Sequence, residues 1–306
     1  MNEPVRKYMR YLEIEKNASP HTREAYATDL GQLASFLGRQ FDMDPDVVDI
    51  QLVKRAHLRM WMGELAELQL SKTSISRKVA AARSFFKYCY RRSLIKENPT
   101  QLLITPKKEK RLPKVVQGKE IEFMMDIVDT GSPWGRQEKA ILETFYGTGI
   151  RRSELVNLNI VDVDFPQRQV KIFGKGAKER IVPVGRKALE ALAAHLETRA
   201  QLFSGKTDTD ARKAFFLTKN GARIYPRAVQ RIVESYLKRT SEVTQKSPHV
   251  LRHSFATHML DRGADIRVIK EFLGHSSLAA TQVYTHASME HLKNVYQNAH
   301  PRAEKP

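Results

Sequence analysis

A proline-interrupted basic stretch divides the sequence into two segments with different residue patterns, and this division constrains the fold more than any other feature. The stretch ENPTQLLITPKKEKRLPKVV carries three prolines around a run of basic residues. Proline restricts its own backbone and disfavours helix at the residue before it, so a continuous helix does not cross such a stretch. We therefore predict an extended linker over residues 106–115, between one domain over residues 1–105 and a second over residues 116–306.

The segment before the linker has helical periodicity throughout. Ser19 and Pro20 are suited to an N-cap and a first helical residue, and an apolar stripe follows them as far as Leu37. Two more amphipathic segments cover residues 54–68 and 71–90. These patterns predict an all-helical N-terminal domain.

The last of these segments is strongly basic. No acidic residue lies between Ser71 and Lys96, whereas a solvated helix face usually mixes both signs of charge. A basic linker could also follow a phosphate backbone. The other interpretation, an ordinary solvated helix and a flexible soluble linker, stays open. The candidate DNA-binding residues are Lys72, Arg77, Lys78, Arg83 and Lys87 in the helix and Lys107 and Lys108 in the linker.

The segment after the linker mixes helical and strand-like patterns. Helical periodicity covers residues 119–146 and returns from Lys187. Between them, IVDVDFPQRQVKIFGKGAKERIVPV alternates and turns like three short antiparallel strands, and Val161, Val163 and Phe165 form one alternating set. We therefore predict a mainly α fold with a small antiparallel β-sheet, in which an α+β domain follows the all-helical one.

The charge of the chain indicates a polyanionic partner. The formal net charge is +18, which bears on partners and solubility rather than on fold. No apolar run approaches the roughly 20 residues of a membrane-spanning helix, and residues 1–15 lack the apolar core of a signal peptide. The one cysteine, Cys89, excludes an internal disulfide and a cysteine-rich zinc site. We expect a cytoplasmic protein that binds nucleic acid and no membrane.

The stretch PHVLRHSFATHML supplies the first candidate site. Its apolar residues recur at helical spacing, and Pro248 suits the first helical position. His249 and Arg252 are three residues apart and emerge side by side near the start of this helix. A bound anion would explain this pairing, and solvated surface positions are the alternative.

Three further stretches carry residues of the same kind. Arg151 follows a glycine-containing turn in YGTGIRRSELVNL, where a helix start already favours anions. Lys175 lies between glycines at a predicted hairpin tip in FGKGAKER, and LGHSSLAATQVYTH contains His275 and Tyr284. Each stretch alone has an ordinary explanation, such as a helix end at Gly149 or a solvent-exposed lysine.

Together these stretches resemble the tyrosine recombinase (phage integrase) family, and within it the Xer-type recombinases. The matching segments are TGIRRSEL, GKGAKERIVPV, HVLRHSFATHML, LGHSSLAATQVYTH, the closing HPRA and the N-terminal SPHTREAYATDL. The resemblance covers nearly the whole chain and implies a SAM-like core-binding domain followed by a catalytic domain. The family's catalytic positions fall on Arg151, Lys175, His249, Arg252, His275 and Tyr284. Arg152 adjoins the first of these, and Arg151 is preferred because it directly follows TGI.

The resemblance implies a site-specific recombinase that cuts and rejoins DNA through a 3′-phosphotyrosyl intermediate. Tyr284 would be the nucleophile, and Arg151 and Arg252 would bind the non-bridging phosphate oxygens. His249 would be the general base, Lys175 the general acid, and His275 a hydrogen-bonding partner of the phosphate. The arginines would take the place of a metal ion, so no cofactor is expected.

The same resemblance implies partners. These are double-stranded DNA and a homo- or hetero-tetramer assembled on two recombination sites, with a related recombinase and a septal DNA translocase as candidates. The corresponding role is resolution of chromosome dimers during cell division. The alternatives are an integrase of a mobile element, a topoisomerase of the same chemistry, and a non-catalytic DNA-binding protein on the same scaffold.

Several neighbouring residues invite other assignments. His249, His253 and His258 are close in sequence, but no HExxH motif or cysteine accompanies them, and we expect no metal site. Tyr296 lies on an apolar stripe that indicates packing. Glu154 either holds the arginines or is a first-turn acid favoured by the helix dipole. The amphipathic C-terminal tail either folds back on its own domain or docks on a neighbouring subunit.

Overall fold

The protein was analysed as a computed structural model, which describes residues 1–104, 115–174, 179–244, 246–274 and 286–303. The chain divides into two compact units, Met1–Arg111 and Leu112–Pro306. Among the described residues, no helix combines the length and apolar character needed to cross a membrane.

The first unit is built from helices. They are α1 (Asn2–Ile14), α2 (Pro20–Phe41), α3 (Arg55–Glu67) and α4 (Lys72–Arg91), with a short 3-10 helix at Ile50–Leu52. The start of α2 is set locally, because the Ser19 hydroxyl accepts the Thr22 amide at 3.3 Å and Pro20 takes the first helical position. Ser71 caps α4 in the same way, accepting the Ser74 amide at 3.1 Å. The apolar stripes of these helices meet in one core, which includes Tyr8, Phe36, Trp61, Phe85 and Phe86.

The second unit combines helices with a small sheet. Its elements are α5 (Gly118–Asp126), α6 (Pro133–Thr148), α7 (Arg152–Val156), β1 (Val163–Asp164), β2 (Gln169–Phe173), β3 (Glu179–Pro183), α8 (Arg186–Thr198), α9 (Thr209–Lys213), α10 (Pro226–Thr240), α11 (Pro248–Asp261), α12 (Ile266–Leu273) and α13 (His286–Ala299), with 3-10 helices at Ile160–Asp162 and Arg199–Leu202. The three strands pair antiparallel in the order β1-β2-β3. The predicted fold class, mainly α with a small antiparallel sheet, is confirmed.

Two local predictions differ from the structure. The helical pattern over residues 119–146 is interrupted after α5, because the Ser132 hydroxyl accepts the Gly135 amide at 3.0 Å and starts a new helix. Of the predicted alternating set, only Val163 belongs to β1: Val161 lies 90% exposed in a 3-10 turn, and Phe165 follows the strand in a turn. The Asp162 carboxylate closes that turn by accepting the Asn159 amide at 2.8 Å.

The C-terminal helix packs on its own domain. The stripe of α13 places Leu292, Tyr296 and Ala299 in the core, each at most 3% exposed. The Tyr296 hydroxyl donates to the Gly147 carbonyl at 2.7 Å and accepts the Gly185 amide at 3.1 Å. Docking of this stripe on a neighbouring subunit, one of the two arrangements open from the sequence, does not describe this conformation.

Candidate active site

The turn between α6 and α7 presents Arg151 to one side of the second unit. Gly149 ends α6 in the left-handed region at φ 60°, and a Cβ there would lie 2.5 Å from a ring carbon of Phe255. Glycine is therefore required for both the turn and the packing. The next residues lead directly into α7, with Arg151 at its N-cap.

Arg151 is held from two directions while part of its side chain stays exposed. One terminal nitrogen donates to Glu154 Oε1 at 2.9 Å, and the other donates to the Gly274 carbonyl at 2.9 Å. The side chain is 36% exposed. A guanidinium that is fixed in orientation and partly open to solvent can bind an anion with little further ordering.

The first two turns of α11 bring two more candidate residues to the same place. Arg252 donates to the Gly149 carbonyl and, at 2.6 Å, to the Leu273 carbonyl, so it spans the turn that carries Arg151 and the end of α12. His249 lies one turn earlier, with its side chain exposed. The structure thus brings Arg151 together with His249 and Arg252, although Arg151 lies about 100 residues before them in sequence.

The close positive charges change the protonation behaviour of the site. Partial desolvation, followed by the charges of Arg152, Arg252 and Arg151, lowers the pKa of His249 below its ordinary value. Burial and the charge of Arg151 lower the pKa of Arg252 to about 10, which still leaves this guanidinium charged at neutral pH. The site therefore combines fixed cations with an imidazole that is biased toward its neutral form.

Glu154 joins the arginines beneath this surface. The Glu154 side chain is 3% exposed, and its carboxylate accepts hydrogen bonds from Arg151 and Arg180. Burial alone would raise the pKa of Glu154, but the hydrogen bonds and charges of Arg180 and Arg151 outweigh it and lower the pKa to about 2. Of the two interpretations open for Glu154, these contacts support the one in which it holds arginines.

Arg180 is the residue that the sequence reasoning missed. It lies on β3 at an inward-facing position that alternates with Val182. A charged residue at an inward strand position needs a buried partner, and this was the available signal. Its partner Glu154 is 26 residues away in sequence, so the pairing itself could not be inferred locally.

The other predicted catalytic and linker residues, Lys175, His275, Tyr284, Lys107 and Lys108, lie outside the described residues. Their roles stay predictions. Gly274, the residue before His275, ends α12 at φ 61°.

The basic residues of α4 fall into different environments. Lys72, Arg77 and Lys87 are exposed, and Arg83 is partly buried and donates to the Leu103 carbonyl. Lys78 differs from the expected surface position because it is 5% exposed. Its ammonium donates to the buried Asp29 at 2.9 Å, so in this conformation it is paired within the domain.

Tyr296 and His258, two of the residues that invited other assignments, have structural partners. Tyr296 is buried, as described above, and burial raises its pKa far above the ordinary value. His258 Nδ1 lies 2.9 Å from the Tyr146 hydroxyl. Among the described residues, no group of three or more histidine, cysteine, aspartate or glutamate side chains is arranged to hold a metal ion.

Comparisons with known proteins agree with the motifs. The phage integrase family matches residues 114–291, and the phage integrase N-terminal SAM-like domain matches residues 5–93. The protein named tyrosine recombinase XerC from Pelotomaculum thermopropionicum is 40% identical over 302 residues, covering 97% of each chain. XerC of Bacillus subtilis is 38% identical over 301 residues, covering 98% of this chain and 97% of that protein.

A solved structure has the same fold. The XerH site-specific recombinase bound to palindromic difH substrate has a TM-score of 0.67 and 20% identity, covering 96% of this chain and 83% of that one. The recombinase identification and the predicted enzyme class are therefore confirmed. The chain belongs to the phage integrase family and is a tyrosine recombinase of the Xer type.

Proposed function

We propose that this recombinase cleaves a DNA strand by attack of the Tyr284 phenol oxygen on a phosphodiester. The new bond joins that oxygen to phosphorus at the 3′ end, and the bond to the 5′ oxygen breaks. His249 takes the phenol proton, and Lys175 gives a proton to the departing 5′ oxygen. The reverse attack by a 5′ hydroxyl rejoins a strand and frees the tyrosine, so the cycle needs no ATP.

The observation that carries this proposal is the convergence of Arg151, Arg252 and His249 at one partly open surface. In phosphoryl transfer, negative charge is spread over the non-bridging oxygens of the transition state. Two oriented guanidinium groups stabilise that charge, and preorganised electrostatic stabilisation is usually the largest catalytic contribution. His275 completes the proposed set by hydrogen bonding the phosphate.

The proposed substrate is double-stranded DNA with two recombination sites, each occupied by two recombinase subunits in a homo- or hetero-tetramer. The proposed role is resolution of chromosome dimers in the cytoplasm, with a related recombinase and a septal DNA translocase as partners. This role is supported by XerC-named relatives along nearly the whole chain and by the net charge of +18.

A suicide substrate tests the chemistry. This is a half-site duplex nicked so that the short cleaved fragment leaves and religation cannot occur. The wild-type protein should form a covalent adduct that survives denaturation in SDS. Tyr284→Phe should form no adduct and still bind the duplex, because the lost group is the nucleophile and not a DNA-binding cation.

Tyr296→Phe is the matched control, since it removes a hydroxyl from the other tyrosine of the C-terminal region. The adduct should persist in this variant. An adduct formed by Tyr284→Phe would refute the assignment. Adduct formation without strand exchange between two duplexes would instead identify a topoisomerase-like activity.

A further inference from the structure

Arg180 is a buried cation with a complete set of oriented partners. Its side chain is 8% exposed. Its two terminal nitrogens donate to Glu154 Oε1 and Oε2, each at 2.8 Å, and its Nε donates to the Phe272 carbonyl at 3.0 Å. Such a forked pair fixes both the position and the plane of the carboxylate.

Glu154, held in this orientation, in turn fixes Arg151. Besides the two bonds from Arg180, its carboxylate accepts the Arg151 side chain at 2.9 Å and the Arg151 backbone amide at 2.7 Å. A carboxylate offers about four lone-pair sites, and here four donors fill them. Rotation of Glu154 would break several of these bonds at once, so the Arg151 guanidinium is held by a carboxylate that Arg180 immobilises.

The same arginines bind the end of α12. The carbonyls of three consecutive residues accept from three arginines: Phe272 from Arg180, Leu273 from Arg252 and Gly274 from Arg151. The last carbonyls of a helix lack partners within the helix and carry partial negative charge. The packing is close, because a Cβ on Gly274 would lie 3.0 Å from a terminal nitrogen of Arg180.

We propose that Arg180 is a positioning residue for strand cleavage, which orients Arg151 through Glu154 and fixes the end of α12 against Arg151 and Arg252. The proposal rests on the phosphate-binding role proposed above for these two arginines. Arg180 itself presents little surface to DNA, so it acts through its neighbours. Catalysis depends on such placement, since an error of about 1 Å in a catalytic group can cost on the order of 10²-fold in rate.

The test compares Arg180→Met and Arg180→Lys with Arg199→Met. Arg199 is another buried arginine of the same unit, 5% exposed, and its guanidinium donates to backbone carbonyls of residues 211–215. Each variant is measured for melting temperature, for affinity toward the half-site duplex, and for the single-turnover rate of adduct formation at saturating protein.

Arg180→Met should lower the single-turnover rate by on the order of 10²-fold, with half-site affinity changed much less. Arg180→Lys keeps the charge but not the fork, so its rate should lie between those of wild type and Arg180→Met. Arg199→Met should lower the melting temperature and leave the rate of the folded protein unchanged.

A pH profile separates positioning from general destabilisation. The charged groups around Glu154 are Arg151 at the N-cap of α7, Arg180 on β3 and Arg252 on α11. Without Arg180, burial of Glu154 is less opposed and its pKa rises. A second protonation should then steepen the acid limb of the rate profile in Arg180→Met and, to a smaller extent, in Arg180→Lys, but not in Arg199→Met.

The inference is overturned if Arg180→Met cleaves at the wild-type rate, or if its loss of rate follows its melting temperature with an unchanged acid limb. If Arg180→Met does not fold, Arg180→Lys decides by the same two criteria. Failure of the proposed function would give a different experimental result, because wild type would form no adduct or Tyr284→Phe would still form one.

Discussion

At the scale of single residues, His249 is the group whose charge state the site controls most directly. A general base has to be neutral before it can accept a proton. Partial desolvation of the imidazole disfavours its protonated form, and the charges of three nearby arginines act in the same direction. The arrangement keeps this histidine available as a base at pH values where an isolated histidine would already be protonated.

The expected outcome is an acid limb that lies below pH 6.5, the ordinary pKa of histidine. A lowered pKa means that the neutral form persists as the pH falls past the ordinary value. His249→Gln should lower the single-turnover rate by about 10²–10⁴-fold and remove this limb. Rates of adduct formation measured from pH 5 to pH 8 check this, and an acid limb above pH 6.5 in wild type would contradict it.

At the residue level, a local motif could be recognised in the sequence, whereas a contact between distant residues could not. Arg151 and the His249–Arg252 pair could be proposed because each lies at a recognisable helix start. Their mutual proximity was implied only by resemblance to a family. The link through Arg180 depends on a strand and a short helix that meet only in the folded chain, and no local pattern specifies which buried acid an inward arginine will meet.

At the scale of secondary structure, a helix cap could be predicted from the sequence, whereas the breaks between elements could not. Ser19 caps its helix as expected, because an N-cap hydroxyl bonds to a backbone amide of the adjacent first turn. The break between α5 and α6 was missed because apolar residues continue on both sides at helical spacing. Val161 was misplaced because a turn closed by Asp162 can imitate the alternation of a strand.

Helix α13 provides the prediction at this scale. Tyr296 is buried with both hydrogen-bonding functions of its hydroxyl used. Tyr296→Ala should therefore lower the free energy of unfolding by about 3–5 kcal/mol, as for other large aromatic residues in cores. The exposed Asn294 lies on the same helix. Asn294→Ala should change the free energy of unfolding by no more than about 0.5 kcal/mol. Denaturant unfolding checks both.

If α13 instead contributes its stripe mainly to a neighbouring subunit, Tyr296→Ala would leave the unfolding of the dilute protein unchanged. It would then weaken cooperative binding of several subunits to a full recombination site. The contrast between these two measurements separates packing within the subunit from docking between subunits.

At the scale of the whole molecule, the excess of positive charge is divided between internal pairing and surface exposure. Asp29 is fully buried and forms ion pairs with both Lys78 and Arg77. Lys78 also donates to Gln32. A count of basic residues on α4 therefore overstates the charge available to DNA, because part of it stabilises the contact between α2 and α4.

The salt dependence of DNA binding tests this division. The logarithm of the association constant should fall with the logarithm of salt concentration by about 0.9 for each phosphate that the protein neutralises. Lys87 is exposed and Lys78 is 5% exposed. Lys87→Ala should therefore reduce the slope by about 0.9 with little change in melting temperature. Lys78→Met should leave the slope unchanged and lower the melting temperature, because Asp29 loses a buried partner. Binding titrations of both variants from 50 mM to 200 mM salt check this prediction. It is contradicted if Lys87→Ala has the same slope as wild type, or if Lys78→Met has a reduced slope. Either result would mean that the burial of a lysine does not determine whether it contacts a phosphate.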